Sequence, residues 1–254
     1  MMLLLSIVLV FPITHVIASP TTYVSAKNPS TGNTYFNYTD EDPPPKSSDY
    51  PLGYLLVNVT VTNVNVPDVG KPLRVWQVNM TWDPTLLEIA NPGPLGDPAT
   101  GDLYAPSDHV FKYDKFANWF LKTVDNTFGT LFWGCALSSA LVKGFNGSGT
   151  LFCVKFNITR IPPPTRTCPL TIVTSGAIKT KLVGPIIGGS AYLIPFTPQN
   201  GYYEYKIIPP PPPPTKGASL NVEPPEIINS SIVFPQTIQI NITVKNITDM
   251  YGYK

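Results

Sequence analysis

The sequence is short of charge. Only 13% of its 254 residues are Asp, Glu, Lys or Arg, and 17 basic residues against 16 acidic ones leave a net charge of +1. Such a chain carries no electrostatic footprint for nucleic acid or an anionic membrane, so binding has to use shape and hydrogen bonds. Histidine is scarcer still, with only His15 and His109. His15 lies in an apolar leader, so any Ser-His-Asp or Cys-His arrangement would have to pass through His109, which stands beside Asp108 in a polar loop and reads as solvated. A glycosidase needs two carboxylates opposed across a cleft, whereas Asp97, Asp102, Asp108 and Asp114 string along one loop. These shortages exclude most catalytic constellations, and the chain reads as a non-enzyme.

Cysteine is also rare. Cys135, Cys153 and Cys168 make an odd count. In an oxidising compartment two of them can pair, and Cys153 with Cys168 is the nearest pair in sequence. Three scattered thiols lack the ligand spacing of a zinc site. Asp40, Glu41 and Asp42, or the aspartates of the 97–114 loop, offer oxygen ligands for calcium but no EF-hand spacing, so no cofactor is called for.

Proline and glycine are abundant, at 30 and 18. Scattered between runs rich in Val, Ile, Thr, Tyr and Phe, they punctuate short strands and leave little room for long helices. Residues 1–18 form an apolar leader, Leu3 to Phe11 followed by the small residues Ala18 and Ser19, and read as a secretory signal cleaved after Ala18. No basic residue precedes Lys27. Asn37, Asn58, Asn79, Asn146, Asn157, Asn229, Asn241 and Asn246 each open an Asn-x-Ser/Thr triplet, which fits export to the cell surface or beyond and marks candidate glycosylation sites.

Strand patterns follow. Leu55 to Val64 alternates, with Asn58 and Thr60 pointing outward. Leu73 to Trp82 sets Trp76, Val78, Met80 and Trp82 on one face and Val75, Gln77, Asn79 and Thr81 on the other, a strand with one dry and one wet side. Leu86 to Ile89, Thr130 to Leu137, Thr150 to Arg160, Leu170 to Val173, Ala177 to Leu182 and Tyr202 to Ile208 continue the series, after a first strand at Thr21 to Ala26. Asn28 to Pro51 reads as loop, and Val110 to Thr123 fits either an irregular strand pair or a short helix. Trp76, Trp82 and Trp133 belong to the core, while Trp119, near Tyr113 and Phe116, suits the core or a sugar-stacking platform. The fold class is all-β, a jelly-roll sandwich of about eight or nine strands spanning residues 19–208. Residues 209–217 form a proline-rich linker whose Pro209 to Pro214 tract would span roughly 19 Å as polyproline II.

Beyond the linker the chain repeats itself. Asn241-Ile-Thr-Val-Lys-Asn-Ile-Thr-Asp249 echoes Asn58-Val-Thr-Val-Thr-Asn-Val64, so 218–254 is the start of a second unit. Its strands, Ala218 to Val222 and Thr237 to Ile247, have no partner sheet within the chain and are expected to be disordered, borrowed by a neighbour or completed by further sequence. Four segments of the first unit, Val57 to Val64, Trp76 to Ile89 with its Trp-Asp-Pro-x-Leu-Leu-Glu core, Phe128 to Gly134, and Gly147 to Phe156, resemble in order and spacing the cohesin family of dockerin-binding modules. The second unit resembles the opening of another cohesin. The resemblance implies a jelly-roll sandwich and a binding role without catalysis. It places the partner-binding face on Val75, Gln77, Asn79 and Thr81 of one strand and Phe132, Gly134, Ala136 and Ser138 of the next. These positions lack the acidic groups common in cohesins, and a glycan on Asn79 would obstruct docking. The partner implied is another protein, dockerin-like or a neighbouring subunit. The alternatives are a carbohydrate-binding module linked to polysaccharide breakdown, and a surface-layer or filament repeat that donates a strand.

Overall fold

A computed structural model describes residues 21–64, 70–94, 97, 99–139, 142–161, 167–206, 219–223 and 241–245. The leader, the proline tract and the sequons at Asn229 and Asn246 lie outside the described residues. The chain divides into two compact units, Met1–Ile207 and Ile208–Lys254. The described residues contain no helix, so none is long and apolar enough to cross a membrane.

In the first unit the strands are β1 (Tyr23–Lys27), β2 (Tyr35–Thr39), β3 (Tyr54–Val64), β4 (Val75–Thr81), β5 (Leu87–Glu88), β6 (Leu103–Tyr104) and β7 (Asn118–Asp125). They continue with β8 (Thr130–Ala136), β9 (Gly147–Ile158), β10 (Thr167–Ile172), β11 (Lys181–Ile187), β12 (Ser190–Ile194), β13 (Thr197–Gln199) and β14 (Gly201–Lys206). One sheet runs β13-β1-β3-β9, with β5 and β6 sharing the far edge of β9. In the other, β4 is central. β8 and then β7 lie on one side of it, and its opposite edge is shared by β11 at Val75–Gln77 and β10 at Met80–Thr81. β12 extends β11, while β14 and β2 extend β10. The all-β sandwich is therefore present. The count exceeds eight or nine because short pieces such as β5, β6 and β13 cap strand edges, and because β2 forms inside the stretch read as loop.

Alternation explains the core. The inward residues of β3 (Leu55, Val57, Val59, Val61) and of β4 (Trp76, Val78, Met80) are fully buried. Trp76 reaches across the sandwich to stack on Phe152 of β9 with ring centroids 5.4 Å apart, and Trp82 meets Phe156 edge-on at 5.0 Å. Rings packed this way add to the aliphatic burial that holds the two sheets together. Val110 to Thr123 is neither a strand pair nor a helix. It forms turns followed by the single strand β7, whose register shifts between Phe120 and Thr123 around Leu121 at φ 52°. The β11–β12 hairpin closes through Gly188 and Gly189, both at positive φ, a pairing suited to a tight two-residue turn.

The pairing of Cys153 with Cys168 is not formed, and all three cysteines are thiols. Cys168 faces the core from β10, whereas Cys153 points out of the opposite sheet, where its thiol donates to Asn58 Oδ1 at 3.0 Å. β6 runs beside it in the same sheet, with Tyr104 in register, and burial pushes the thiol pKa up to about 11.

In the second unit β15 (Ser219–Glu223) and β16 (Asn241–Lys245) pair antiparallel, Leu220 opposite Val244 and Val222 opposite Ile242. The two segments thus pair with each other as a two-stranded sheet.

Candidate functional site

The candidate face is the outer side of the sheet centred on β4. Register places its residues in rows running across the strands. One row reads Asn118, Ala136, Val75, Val183 and Leu193, from β7 through β8, β4 and β11 to β12. The next reads Phe120, Gly134, Gln77 and Lys181, and a third Thr123, Phe132 and Asn79. A fourth holds Asp125, Thr130, Thr81 and Thr171. Charge appears only at the margins, on Lys181 and Asp125, so the face offers apolar and amide contacts.

All eight residues expected on this face fall on or beside it, but they are not equally available. Gly134 is buried because the Phe120 ring lies over it; a Cβ there would stand 2.7 Å from Phe120 Cε2 and 3.1 Å from the Trp76 carbonyl oxygen. Gln77 Nε2 donates to the Lys179 carbonyl and Asn79 Nδ2 to the Ile178 carbonyl, each at 2.8 Å. The Thr180 hydroxyl completes the joint, accepting from Asn79 N and donating to Asn79 O. These two amides therefore fasten the 173–180 connection onto β4. Sequence reasoning missed this role, since nothing local to Gln77 or Asn79 identifies carbonyls about a hundred residues away.

Val75 and Ser138 open instead onto a groove of about 520 Å³ bounded by Arg74, Val183, Pro185 and Ile186, with Ala136 beside Val75 in the row above. Arg74 Nη2 donates to the Ser139 carbonyl at 2.6 Å, fixing one wall. On the other wall, Ile186 of the glycine-turn hairpin is 76% exposed, and Leu193, opposite Val183 on the same hairpin, is 61% exposed. These side chains were not singled out from the sequence. The Ile-Ile-Gly-Gly run followed by Tyr-Leu-Ile is the signal that marks such a hairpin.

His109 is not solvated. Its ring packs edge-on to Trp119 at 5.2 Å, its Nδ1 accepts from Phe111 N, and burial holds its pKa below the usual imidazole value. Trp119 in turn leans on Trp76 and Trp133, at the margin of the core. Among the loop carboxylates, Asp102 accepts from Tyr50 Oη at 2.6 Å and Asn91 N at 2.9 Å, and Asp114 accepts from Ser138 N, Ser138 Oγ and Phe116 N. Both are structural anchors. Among the described residues no three His, Cys, Asp or Glu side chains gather where they could hold a metal ion.

The sequons divide by geometry. Asn37 and Asn146 are exposed, whereas Asn157 Nδ2 donates to Glu88 Oε1 at 2.7 Å and Asn58 accepts the Cys153 thiol.

No family model matches this sequence, and no curated protein does. Solved structures do match it. The chain is similar to cohesin domains. The third ScaC cohesin of Acetivibrio cellulolyticus, solved in complex with the ScaB dockerin, is 11% identical at a TM-score of 0.47, over 73% of this chain and 99% of that one. The OlpA cohesin of Clostridium thermocellum, in complex with Doc918, is 13% identical at 0.45, over 73% and 99%. CaCohA2 of Clostridium acetobutylicum is 13% identical at 0.45, over 74% and 92%. The rows and the groove described above stand on this chain's own registers and distances.

Proposed function

We propose that the first unit is a non-catalytic, cohesin-like attachment module of an exported protein, holding a protein partner against the outer face of the β4 sheet. The observation that carries this reading is the row Ala136, Val75, Val183 and Leu193, which leads from the sheet into the open groove at Ile186. A flat, nearly uncharged face ending in exposed aliphatic side chains suits a protein surface, where apolar anchors sit inside a polar rim. Among the described residues Asp102, Asp114 and His109 are engaged in structural hydrogen bonds or packing, which fits the binding reading. Export follows from the apolar leader and from the sequons; of those described, Asn37 is the one proposed to carry a glycan.

A photo-crosslinking residue replacing Val183, with a control replacing Leu56 on the outer side of the other sheet, tests the reading. Exposed to the surface proteins of the source cells and to purified dockerins, the Val183 probe should yield a discrete protein adduct that the Leu56 probe does not. Adducts of equal yield from both positions, or labelling of polysaccharide alone, would overturn the proposal.

A further inference from the structure

The ends of the sandwich carry opposite charge, a feature that the partner face does not use. At the Val75 end of β4 the described loops bring Lys71, Arg74, Lys112, Lys115 and Lys143 together with Asp108 and Asp114, and Asp114 is buried under its three donors. At the Thr81 end the loops 40–53, 82–86 and 125–129 hold Asp40, Glu41, Asp42, Asp49, Asp83 and Asp125 with Lys46; Arg160, next to the Thr159 that bonds Leu86, and Lys206, paired with Glu204, stand at the same end, and the carboxylates outnumber these cations. Pairing of Leu87 with Ile158 and of Tyr54 with Asn157 brings those loops to one end. A net charge near +1 thus conceals a sandwich that is basic at one end and acidic at the other.

Each end also has an apolar feature. The basic end contains a groove of about 500 Å³ between the 110–114 turn and the 142–146 segment, floored by Val110, Phe111, Leu137 and Phe145 and rimmed by Lys143. Lys112 and Lys115 stand exposed beside it. The acidic end carries Phe128, 74% exposed at the tip of the β7–β8 turn. That tip is held in place: Asp125 Oδ1 accepts from Thr127 N at 2.9 Å and from Phe128 N at 3.2 Å. An exposed aromatic side chain carried on a fixed turn and flanked by carboxylates is a knob whose backbone is pre-organised, which lowers the entropic cost of docking.

We propose that copies of this chain associate end to end, Phe128 of one copy seating in the Val110–Phe145 groove of the next, with Asp83 and Asp125 facing Lys112, Lys115 and Lys143. The occupant is a second copy because the knob and its charges complement the groove and its charges, and both belong to the same unit. Knob and groove lie at opposite ends of β4, so an end-to-end contact uses the knob of one copy and the groove of the next and leaves the other knob and groove open. The contact is heterologous and propagates into chains of subunits. Facing charges accelerate encounter and are screened by salt, while the seated ring persists longer.

The test is sedimentation velocity of the full chain from the micromolar to the millimolar range, at low salt and at about 0.5 M salt, where the Debye length falls below about 5 Å. Asn146 lines the groove, and a glycan there would roof it, so the protein comes from a host that adds none. Wild type should form a ladder of oligomers at low salt that shortens at high salt. Phe128→Ser removes the knob, and the Lys112→Glu/Lys143→Glu pair reverses the groove rim. Each should weaken association by about tenfold or more, and circular dichroism should be unchanged because all three side chains are exposed. The two variants mixed retain one good knob and one good groove between them and should form a dimer that cannot extend. Wild type that stays monomeric at millimolar concentration, either variant associating like wild type, or a mixture without dimer would each overturn the proposal. None of these variants touches the Val75–Val183 row, so partner capture there is read out separately.

Discussion

Asp114 offers a quantitative test of how the candidate face is built. Its carboxylate is 8% exposed and accepts three hydrogen bonds, from Ser138 N at 2.6 Å, Ser138 Oγ at 2.9 Å and Phe116 N at 3.1 Å. Burial alone would raise its pKa, but the donors from Ser138 and Phe116 outweigh it and hold the value below the ordinary carboxylate range. These bonds tie the 108–117 turns to the end of β8, beside both grooves. Hydrogen bonds to a charged group contribute about 1.5–3 kcal/mol each, and they are not additive when they share one acceptor. Asp114→Ala should therefore cost about 3 kcal/mol. In a unit of this size each kcal/mol lowers Tm by about 2–4 °C, giving a drop of about 6–12 °C at pH 7. The sign with pH follows from the depressed folded value. The stabilisation is fully present above the unfolded carboxyl pKa of about 3.9 and is lost as pH falls through the lower, folded one. Thermal melts by circular dichroism between pH 7 and pH 2 should show the gap between wild type and Asp114→Ala narrowing below about pH 4. A gap under about 2 °C at pH 7, or one constant to pH 2, would refute the assignment of Asp114 as the anchor.

The remaining predictions concern the thiols and the covered glycine. Cys153, with its pKa raised to about 11, and the fully buried Cys135 and Cys168 should not react with a maleimide at pH 7 in the native state, and all three should react after denaturation. Fewer than three labels under non-reducing denaturing conditions would restore a disulfide. Gly134→Ala should cost about 1–2 kcal/mol by pushing the Phe120 ring off the face, and far less when Phe120 is also changed to Ala. Additive losses in that double-mutant cycle, measured by urea denaturation, would mean that the ring does not cover Gly134.

What was legible in the sequence and what was not follow from one physical distinction. β3 and β4 could be read because each buries one side completely, so their apolar residues recur every second position. β2 escaped because it lies at the edge of its sheet, pairing in parallel with β14 from residue 202 onward, and Phe36 is its only fully buried side chain. Alternation reports which way a side chain points. It does not report what lies on top. In β9, Leu151, Phe152, Cys153 and Val154 are all buried although the strand alternates, because a bulge at Leu151 turns that residue into the core and Tyr104 of β6, in register with Cys153, shelters its thiol on the outer side. Nearness in sequence made Cys153 and Cys168 the expected pair, but it does not report that Cys153 points away from the core. The same limit applies to the face. Val75, Gln77, Asn79 and Thr81 share one side of β4, as their spacing requires. Yet the 173–180 connection claims the two amides and leaves the aliphatic row beside them, continued by Val183 and Leu193, as the surface proposed to meet a partner. That row joins Val75 to residues of a hairpin more than a hundred positions away, and only the strand register brings them together.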